Sequence, residues 1–270
     1  MISFPPCKIN LGLRVVSKRP DGYHNIETCF YPLPWTDVLE IIPSDELLFS
    51  NSGLSVPGNQ EDNLCLKAYR LLRNDFDLKP VRIHLHKVVP MGAGLGGGSS
   101  NGAHTLRMLN SIFDLQLNND QLKQYASQLG SDCAFFIEDG AMIGTGRGEI
   151  MEKAMFDLKG KFVVIVKPEV HVSTAEAYAG VKPSGTVDQI KNVVEKNPLP
   201  TWKSLLKNDF EDSVFKKYPV IREVKEKLYH RGAVYASMSG SGSAVYGIFE
   251  KSVALKNEFP NMNYWSGLLS

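Results

Sequence analysis

Cysteine is scarce in this sequence, and long apolar runs are absent from it. The four cysteines lie far apart and show no Cys-x-x-Cys spacing, which indicates reduced thiols rather than a disulfide framework or a zinc site. No apolar run approaches the roughly 18 residues of a membrane-spanning helix. The first residues lack the basic end and apolar core of a secretory signal. We therefore expect a cytoplasmic protein with no membrane partner.

The sequence also lacks an excess of charge of either sign. Its formal net charge is +1, with 22% charged and 43% hydrophobic residues, which is an ordinary composition for a globular enzyme. Nothing in that balance would attract nucleic acid, so we expect the partner to be a small molecule. The 270 residues are enough for one large or two medium domains.

Glycine, by contrast, is concentrated in one stretch, PMGAGLGGGSS, at residues 90–100. The segment 81–86 before it alternates apolar and polar residues, which predicts a half-buried strand. The segment after it has the apolar spacing of a helix, for which Ser99 or Ser100 would be a suitable N-cap. A strand, a glycine-rich loop and a helix N-terminus together form an anion site, and the usual anion is phosphate.

Two familiar phosphate motifs fit this loop poorly. Residues 92–97 match the dinucleotide fingerprint formally, but the acidic residue at the required spacing, Asp114, follows a helix end instead of a strand. The Walker loop ends in Gly-Lys-Ser/Thr, whereas Gly98 runs into Ser99 without a lysine. A plain packing turn would not need so many glycines, because each one loses extra backbone entropy on folding.

The core of the loop, Gly94-Leu95-Gly96-Gly97-Gly98-Ser99-Ser100, resembles the ATP loop of the GHMP kinases, and the resemblance extends over most of the chain. It implies a two-domain α/β (α+β) fold, with an N-terminal ATP-binding domain at residues 1–157 and a ferredoxin-like C-terminal domain at residues 158–270. It also implies ATP as co-substrate together with Mg²⁺. The loop residues implied to bind ATP are Pro90, Gly92, Gly94, Leu95, Gly96, Gly97, Gly98, Ser99 and Ser100.

Two further ATP contacts are implied by the resemblance, and each has a simpler alternative. Asn63 lies in the segment EDNL, which is similar to the adenine-contacting corner of the family. A plain helix cap formed by Asp62 agrees with the sequence equally well. Lys87, just before the glycine loop, matches a family position that lies against the adenine. The alternative for Lys87 is a solvated lysine at a strand edge.

The strand predicted over residues 8–15 carries polar residues on the face opposite its apolar side chains. By themselves Lys8 and Asn10 are typical of a solvated strand face, and Tyr23 and His24 are typical of a surface loop. Together, KINLGL and RPDGYH resemble the first motif of one branch of the GHMP kinases, whose substrate is a cytidine diphosphate derivative of methylerythritol. The resemblance implies that Lys8 is catalytic, that Asn10 binds the substrate, that Tyr23 stacks on the cytosine and that His24 hydrogen-bonds its edge.

An aspartate, Asp132, follows a predicted helix that Gly130 closes. The apolar residues 133–136 after it indicate at least partial burial, and a buried carboxylate needs partners. A capping or ion-paired aspartate is the alternative. The sequence GSD followed by FF is similar to a family segment, and this similarity implies that Asp132 is the catalytic base, held by Lys8.

Three more substrate contacts are implied in the second half of the chain. Residues 171–178 predict a helix start and resemble the family segment in which a threonine binds the substrate and an aromatic one turn later completes the cytosine sandwich. Thr174 and Tyr178 hold those two positions. The segment 237–243 is longer than a hairpin needs and resembles the third GHMP motif, with Gly240 as the implied substrate contact.

The reaction implied by the resemblance is ATP-dependent phosphorylation of the acceptor, in isoprenoid biosynthesis by the non-mevalonate route. The candidate ligand for Mg²⁺ is Ser99 or Ser100, since no second acidic ligand is evident. A GHMP kinase for homoserine, mevalonate or a sugar is one alternative, but it would not explain Tyr178. A non-catalytic relative is another, but it would be expected to have lost Asp132 or Lys8.

Elsewhere the patterns are less informative. Residues 50–62 are rich in Asn, Ser, Gly and Pro and predict a loop. Residues 182–200 predict a loop with a short helix, and residues 219–229 predict an amphipathic helix. The tail from residue 261 is expected to pack on the body of the protein without a functional role.

Overall fold

The computed structural model describes residues 1–183, 185 and 189–269. In chain order the elements are β1 (Ile2–Ser3), β2 (Pro6–Lys18), β3 (His24–Thr36), β4 (Val38–Pro43), β5 (Leu48–Gly53), α1 (Leu64–Asp75), β6 (Val81–Lys87), α2 (Gly97–Ile112), α3 (Asn119–Leu129), β7 (Met142–Thr145), β8 (Ile150–Lys153), β9 (Phe162–Lys167), α4 (Thr174–Ala179), α5 (Gln189–Lys196), α6 (Trp202–Leu205), α7 (Glu211–Lys217), α8 (Pro219–His230), β10 (Tyr235–Met238), β11 (Val245–Phe249) and β12 (Asn263–Leu268). None of the helices in the described part of the chain has the length and apolar character needed to cross a membrane.

The chain folds into two compact units, which confirms the predicted two-domain α/β organisation. The first unit comprises residues 1–7, 35–91 and 96–139, and the second comprises residues 8–34, 92–95 and those from 140 onward. The units are therefore interleaved along the chain and do not correspond to one division after residue 157. The physical reason is strand pairing: β2 and β3 join β7 and β8 in one sheet, so the early strands belong with the later residues.

The first unit contains a sheet in the order β1-β4-β6-β5, in which β4 is antiparallel and β5 parallel to β6. The predicted strand over 81–86 is confirmed as β6, whose residues alternate between buried and more exposed positions. Helices α1, α2 and α3 pack together, and α2 also lies against β4. The glycine-rich loop therefore connects the end of a half-buried strand to the start of the 16-residue helix α2.

The second unit contains two sheets, in the orders β2-β3-β7-β8 and β10-β11-β9-β12. In the latter, neighbouring strands are antiparallel throughout. Helix α8, which the amphipathic pattern of residues 219–229 predicts, buries Ile221, Val224 and Leu228 in the core against this sheet.

Two predicted helix starts differ from the structure. Helix α1 begins one residue later than an Asp62 cap would require, because the side chain of Asn63 accepts a hydrogen bond from the backbone N–H of Cys65 at 2.9 Å. Helix α2 begins at Gly97 after Gly96, whose φ of 69° lies in the left-handed region, so neither Ser99 nor Ser100 is the cap. Glycine adopts that conformation without the steric cost that a serine would carry.

β5 and β12 are two of the strands that the sequence patterns do not predict. β5 lies within a stretch read partly as loop, because its residues Leu48–Gly53 are mostly exposed and show no clear alternation. Its strand character comes from hydrogen bonding to β6 along one sheet edge. β12 lies in the tail and pairs with β9, where the near-uniform half burial of Asn263–Leu268 leaves no period of two in the sequence.

Candidate active site

The glycine-rich loop has positive φ at alternate residues, with values of 60°, 75° and 69° at Gly92, Gly94 and Gly96. Left-handed residues at such spacing are typical of backbone nests, in which successive N–H groups turn towards a common anion. The next residue, Gly97, begins α2, whose first N–H groups have no partner within the helix. The backbone from Gly92 to the start of α2 is therefore suited to bind phosphate.

The second unit holds the middle of this loop through the segment that resembles the third GHMP motif. A Cβ added to Gly94 would lie 1.9 Å from the carbonyl oxygen of Ser239, so only glycine fits there. The Ser239 hydroxyl donates to the carbonyl oxygen of Gly94 at 2.8 Å, and the N–H of Ala244 donates to the carbonyl oxygen of Ala93 at 3.1 Å. Loop 237–243 thus fixes the glycine loop by direct backbone contact.

Lys8 and Asn10 are buried, which corrects the alternative of a solvated strand face. Their side chains are 3% and 2% exposed, because both faces of β2 are covered. The Lys8 ammonium donates to the Asn10 amide oxygen at 2.6 Å and to the carbonyl oxygen of Gly94 at 2.9 Å. The Asn10 amide nitrogen in turn donates to the Thr28 hydroxyl at 2.9 Å. A buried cation is therefore held at the glycine loop.

Asn208, which has no signal in the sequence, supports the same arrangement from within the second unit. Its fully buried side-chain amide donates to the carbonyl oxygens of Met238 at 2.9 Å and Gly240 at 2.8 Å. These two carbonyls flank Ser239. A Cβ on Gly240, one of the implied substrate contacts, would lie 3.3 Å from the Asn10 amide oxygen, so Gly240 borders the buried polar cluster.

The two serines at the start of α2 have different surroundings. The Ser100 hydroxyl oxygen is fully buried and has no hydrogen-bond partner among the described residues. Ser99 hydrogen-bonds the thiol of Cys133, whose pKa burial raises to about 12. That contact brings the turn that carries Asp132 to the start of α2, within the first unit. Asp132 itself is half-buried and follows the C-cap Gly130, as the sequence predicts.

A cavity of about 310 Å³ opens in the first unit beside the end of the glycine loop. Asn63, a predicted adenine contact, lines it. Because the amide oxygen of Asn63 already caps α1, its amide nitrogen is the atom left to donate to a ligand. The other lining residues are Phe49, Asn51, Val56, Pro57, Gly58, Asn59, Gln60, Asp62, Leu64, Leu85, Met91, Gly98 and Asn101.

The position of Lys87 agrees neither with the predicted contact to the adenine nor with the alternative of a solvated lysine at a strand edge. Its ammonium is fully buried and pairs with the equally buried carboxylate of Asp37, so it reaches neither solvent nor a base in the cavity. Asp37 also accepts from the N–H groups of Val88 at 2.7 Å and Val89 at 2.8 Å, and from the Asn101 amide at 2.9 Å. Burial lowers the pKa of Lys87, and the charge of Asp37 acts in the opposite direction.

This buried network connects both ends of the glycine loop, since Val88 and Val89 precede the loop and Asn101 lies in α2. The burial of Lys87 has a signal in the sequence that the predictions did not use. Lys87 falls two residues after Leu85 on the buried face of β6, so the alternation itself places it inside. Nothing in the local sequence indicates Asp37 as its partner.

The residues predicted to hold the cytosine are only partly together. The rings of His24 and Tyr178 are stacked, with centroids 4.7 Å apart and an interplanar angle of 19°. Phe210 meets Tyr178 edge-on at 4.8 Å and 80°. Tyr23 instead is 58% exposed and has the guanidinium of Arg147 over its ring at 5.2 Å. The ring that stacks on Tyr178 is therefore that of His24, whereas the resemblance implies stacking by Tyr23.

Thr174 begins helix α4, with Ser173 as its N-cap, which confirms the predicted helix start. The Thr174 hydroxyl lies 3.4 Å from that of Ser241 in loop 237–243. The helix start predicted to bind the substrate therefore adjoins the loop that supports Gly94. The described residues contain no group of three or more His, Cys, Asp and Glu side chains that could hold a metal ion.

Comparison with known proteins gives matches in both halves of the chain. The family model for the GHMP kinases N terminal domain matches residues 63–140, and the model for the GHMP kinases C terminal matches residues 190–262. A 4-diphosphocytidyl-2-C-methyl-D-erythritol kinase from Cytophaga hutchinsonii is 53% identical over 250 residues, which cover 92% of each chain. The enzyme of the same name from Parabacteroides distasonis is 47% identical over 272 residues, 100% of both chains.

Solved structures agree with these matches. A crystal structure of 4-(cytidine 5'-diphospho)-2C-methyl-D-erythritol kinase is similar with a TM-score of 0.84 and 29% identity, covering 99% of this chain and 98% of its own. A homoserine kinase from Cytophaga hutchinsonii has a TM-score of 0.72 at 15% identity, covering 100% of this chain and 94% of its own. At that identity the likeness to the homoserine kinase shows the fold alone.

Proposed function

Because the chain belongs to the GHMP kinase family, we propose that it transfers the γ-phosphoryl group of ATP to the 2-hydroxyl of 4-diphosphocytidyl-2-C-methyl-D-erythritol. It is an ATP-dependent kinase of isoprenoid biosynthesis, as are its 53% and 47% identical relatives. One observation supports phosphoryl transfer more than any other. The alternating left-handed glycines 92, 94 and 96 lead into the N-terminus of α2, and the carbonyl oxygen of Gly94 accepts a hydrogen bond from the buried ammonium of Lys8.

The nucleotide is bound by this loop and by the cavity next to it. Backbone N–H groups from Gly92 to the start of α2 hold the phosphates, because they are preorganised and electrically positive. The base enters the cavity, where the Asn63 amide nitrogen donates to it and Leu85 and Phe49 cover its faces. In this proposal Lys87 does not touch the base but, with Asp37, keeps the two ends of the loop in place.

A magnesium ion fits the residues present, although the chain contributes little to its binding. The buried, unpartnered hydroxyl of Ser100 is an oxygen donor of the kind that Mg²⁺ prefers. Kinase magnesium sites take most ligands from substrate phosphates and water, so the lack of an acidic cluster in the described residues agrees with this role. When bound, the ion neutralises charge on the phosphates. Ser100 would hold it.

The chemistry proper needs a base for the hydroxyl proton and stabilisation of charge on the transferred group. Asp132 is half-buried beside the start of α2 and takes the proton from the 2-hydroxyl of the acceptor. The oxygen then bonds to the γ-phosphorus and the bond to the β-phosphate oxygen breaks, which releases ADP. The ammonium of Lys8 stabilises the developing negative charge.

The cytidine of the acceptor is recognised by the aromatic groups of the second unit. Tyr178 offers a ring for stacking, and His24, lying against it, offers ring nitrogens for the base edge. The exposed ring of Tyr23 lies against Arg147, so this proposal gives it no part in the stack. Asn10, Gly240 and Thr174 contact the rest of the acceptor.

The proposed activity is tested by measuring ADP release with purified protein, ATP and a panel of acceptors. We expect turnover with 4-diphosphocytidyl-2-C-methyl-D-erythritol and none above background with mevalonate, homoserine or galactose. The control is Ser239→Ala, which removes the hydroxyl that fixes the Gly94 carbonyl and should reduce turnover with the true acceptor. Preferential turnover of another acceptor would retain the kinase family but reject this substrate.

A further inference from the structure

The imidazole of His171 lies on the glycine loop, and the reaction described above gives it no role. A Cβ added to Gly92 would lie 2.9 Å from Cε1 and 3.0 Å from Nδ1 of His171, so the ring packs directly on the backbone of Gly92. Both residues belong to the second unit. His171 is nevertheless exposed, which leaves much of its ring accessible to a ligand.

The backbone on either side of His171 is fixed, whereas its ring nitrogens are not engaged. The carbonyl oxygen of Val170 accepts from the Ser243 hydroxyl at 2.6 Å, which ties this segment to loop 237–243. Two residues further on, Ser173 caps α4 by accepting from the N–H of Glu176 at 3.2 Å. Neither ring nitrogen of His171 hydrogen-bonds another described residue. The ring is thus carried by an anchored segment and retains its full capacity to donate.

The position of the His171 imidazole beside Gly92 indicates which ligand it would contact. Gly92 is the first of the alternating left-handed glycines, so the imidazole stands at one end of a row of backbone donors suited to anions. An imidazole N–H beside such a row adds a further donor, and it adds positive charge when protonated. Three residues further along the chain, Thr174, an implied acceptor contact, begins α4.

We propose that His171 is a binding residue that donates a hydrogen bond to a phosphate oxygen of a bound substrate at the Gly92 end of the loop. The assignment rests on the proposed function, in which two substrates carry phosphate. The oxygen belongs either to the γ-phosphate of ATP or to the diphosphate of the acceptor. The same hydrogen-bond chemistry serves both, and ligands that differ by those phosphates distinguish them.

The test uses His171→Phe and His171→Gln in the full chain, with isothermal titration calorimetry. Phenylalanine keeps a ring on Gly92 but has no donor, and glutamine keeps a donor but has no ring. The probes are CDP against cytidine, and a non-hydrolysable ATP analogue against ADP. His84→Gln is the matched control, since His84 lies on β6 in the first unit and its ring nitrogens contact the hydroxyls of Ser50 and Ser52.

We expect His171→Phe to weaken one phosphate-bearing probe by roughly 10-fold to 100-fold, the range for a hydrogen bond to a charged group. Loss confined to CDP assigns the acceptor diphosphate, and loss confined to the ATP analogue assigns the γ-phosphate. Cytidine or ADP, respectively, should bind as before, and His171→Gln should retain part of the affinity.

Two results would overturn the assignment while the proposed function stands. In the first, His171→Phe binds all four probes with the affinity of the wild type. The ratio of CDP to cytidine affinity and the ratio of ATP-analogue to ADP affinity are then both unchanged. The other is better retention by phenylalanine than by glutamine, which would indicate that the ring only packs. If the wild-type protein bound neither CDP nor the ATP analogue, the proposed function itself would fail, and the role of His171 with it.

Discussion

At the scale of single residues, the carboxylate of Asp132 is the group whose substitution should separate chemistry from binding. Asp132→Asn keeps the shape of the side chain but cannot take a proton, so kcat should fall by roughly 10²-fold to 10⁴-fold while the KM for ATP changes little. Steady-state kinetics with both substrates measures the two parameters.

The matched control for Asp132→Asn is Asp139→Asn, which alters an aspartate of the same unit whose side chain is 94% exposed. It should leave kcat within about twofold, since surface substitutions away from special features have small effects. Near-normal turnover by Asp132→Asn would remove this residue from the mechanism.

A second residue, His104 in α2, should give the protein a defined sensitivity to acid. Burial, with a smaller contribution from the charge of Arg107, lowers its pKa from 6.5 to about 4. Its ring lies 2.8 Å from the Ser3 hydroxyl. Between these pH values the unfolded chain binds a proton that the folded chain does not, so stability decreases as the pH falls from about 6.5 to 4.

The expected loss in the free energy of unfolding is up to about 3 kcal/mol, at roughly 1.4 kcal/mol for each pKa unit. Urea unfolding at several pH values should therefore show a steeper fall in the wild type than in His104→Gln, which does not titrate. Identical slopes for the wild type and His104→Gln would show that His104 does not titrate as the structure implies.

At the scale of elements, the glycine loop needs glycine at residue 94 for its close packing against loop 237–243 as well as for its backbone conformation. Gly94→Ala would place a Cβ 1.9 Å from the carbonyl oxygen of Ser239, and this rigid backbone atom cannot move without displacing loop 237–243. We expect a loss of affinity for an ATP analogue of roughly 5-fold to 150-fold, because the phosphate-binding N–H groups lose their alignment and a strained or displaced backbone residue costs about 1–3 kcal/mol.

Gly140→Ala is the control that isolates this cause. Gly140 also has a positive φ, of 93°, but a Cβ there would meet nothing within 4 Å. Both variants bear the conformational cost of about 1–2 kcal/mol for a left-handed alanine, but only Gly94→Ala has the clash. Equal affinities for the nucleotide in the two variants would contradict the close packing of the two loops.

The Asp37–Lys87 pair should stabilise the first unit only as an intact pair. Asp37→Asn leaves the Lys87 ammonium buried without its counter-charge, at an expected cost of about 3–5 kcal/mol in the free energy of unfolding. The double variant Asp37→Asn with Lys87→Met removes both charges and should be more stable than Asp37→Asn alone. Chemical denaturation of the wild type, of each single variant and of the double variant measures this, and strictly additive losses would show that the two side chains do not interact.

The glycine loop and the Asp37–Lys87 pair show what can and cannot be predicted from a sequence. The strand–loop–helix unit is predictable because its signals are local: alternation in β6, clustered glycines, and helical spacing in α2. The Asp37 network is not, because its side-chain donors lie 50 and 64 residues away in sequence. Pairings over such distances follow from how the sheet and helix pack, which no local pattern encodes.

At the scale of the whole molecule, the sequence predicts two domains but not how the chain is divided between them. Strand β3 pairs with β7, more than a hundred residues later, and β2 belongs to the same sheet, so early residues such as Lys8 lie in the second unit. Lys8 and Asn10 are buried because segments distant in sequence, the glycine loop and loop 237–243, contact the side chains that alternation alone marks as solvated.

Family resemblance transfers motifs residue by residue, so it names candidate site residues, and their roles stay predictions. The structure places two of them, Lys8 and Gly240, beside Gly94 in the glycine loop. The exceptions are Lys87, which is buried with Asp37, and Tyr23, which faces Arg147. Both depend on side-chain partners that the motifs do not include.

The central claim is that this kinase recognises cytidine through His24, whose ring lies on Tyr178. It is tested most directly by the ratio of kcat/KM for the cytidine and uridine forms of the diphosphate-linked acceptor, in the wild type and in His24→Ala. We predict a strong preference for cytidine in the wild type and a loss of most of it in His24→Ala, since an edge contact reads the base. A ratio unchanged by His24→Ala would contradict the account.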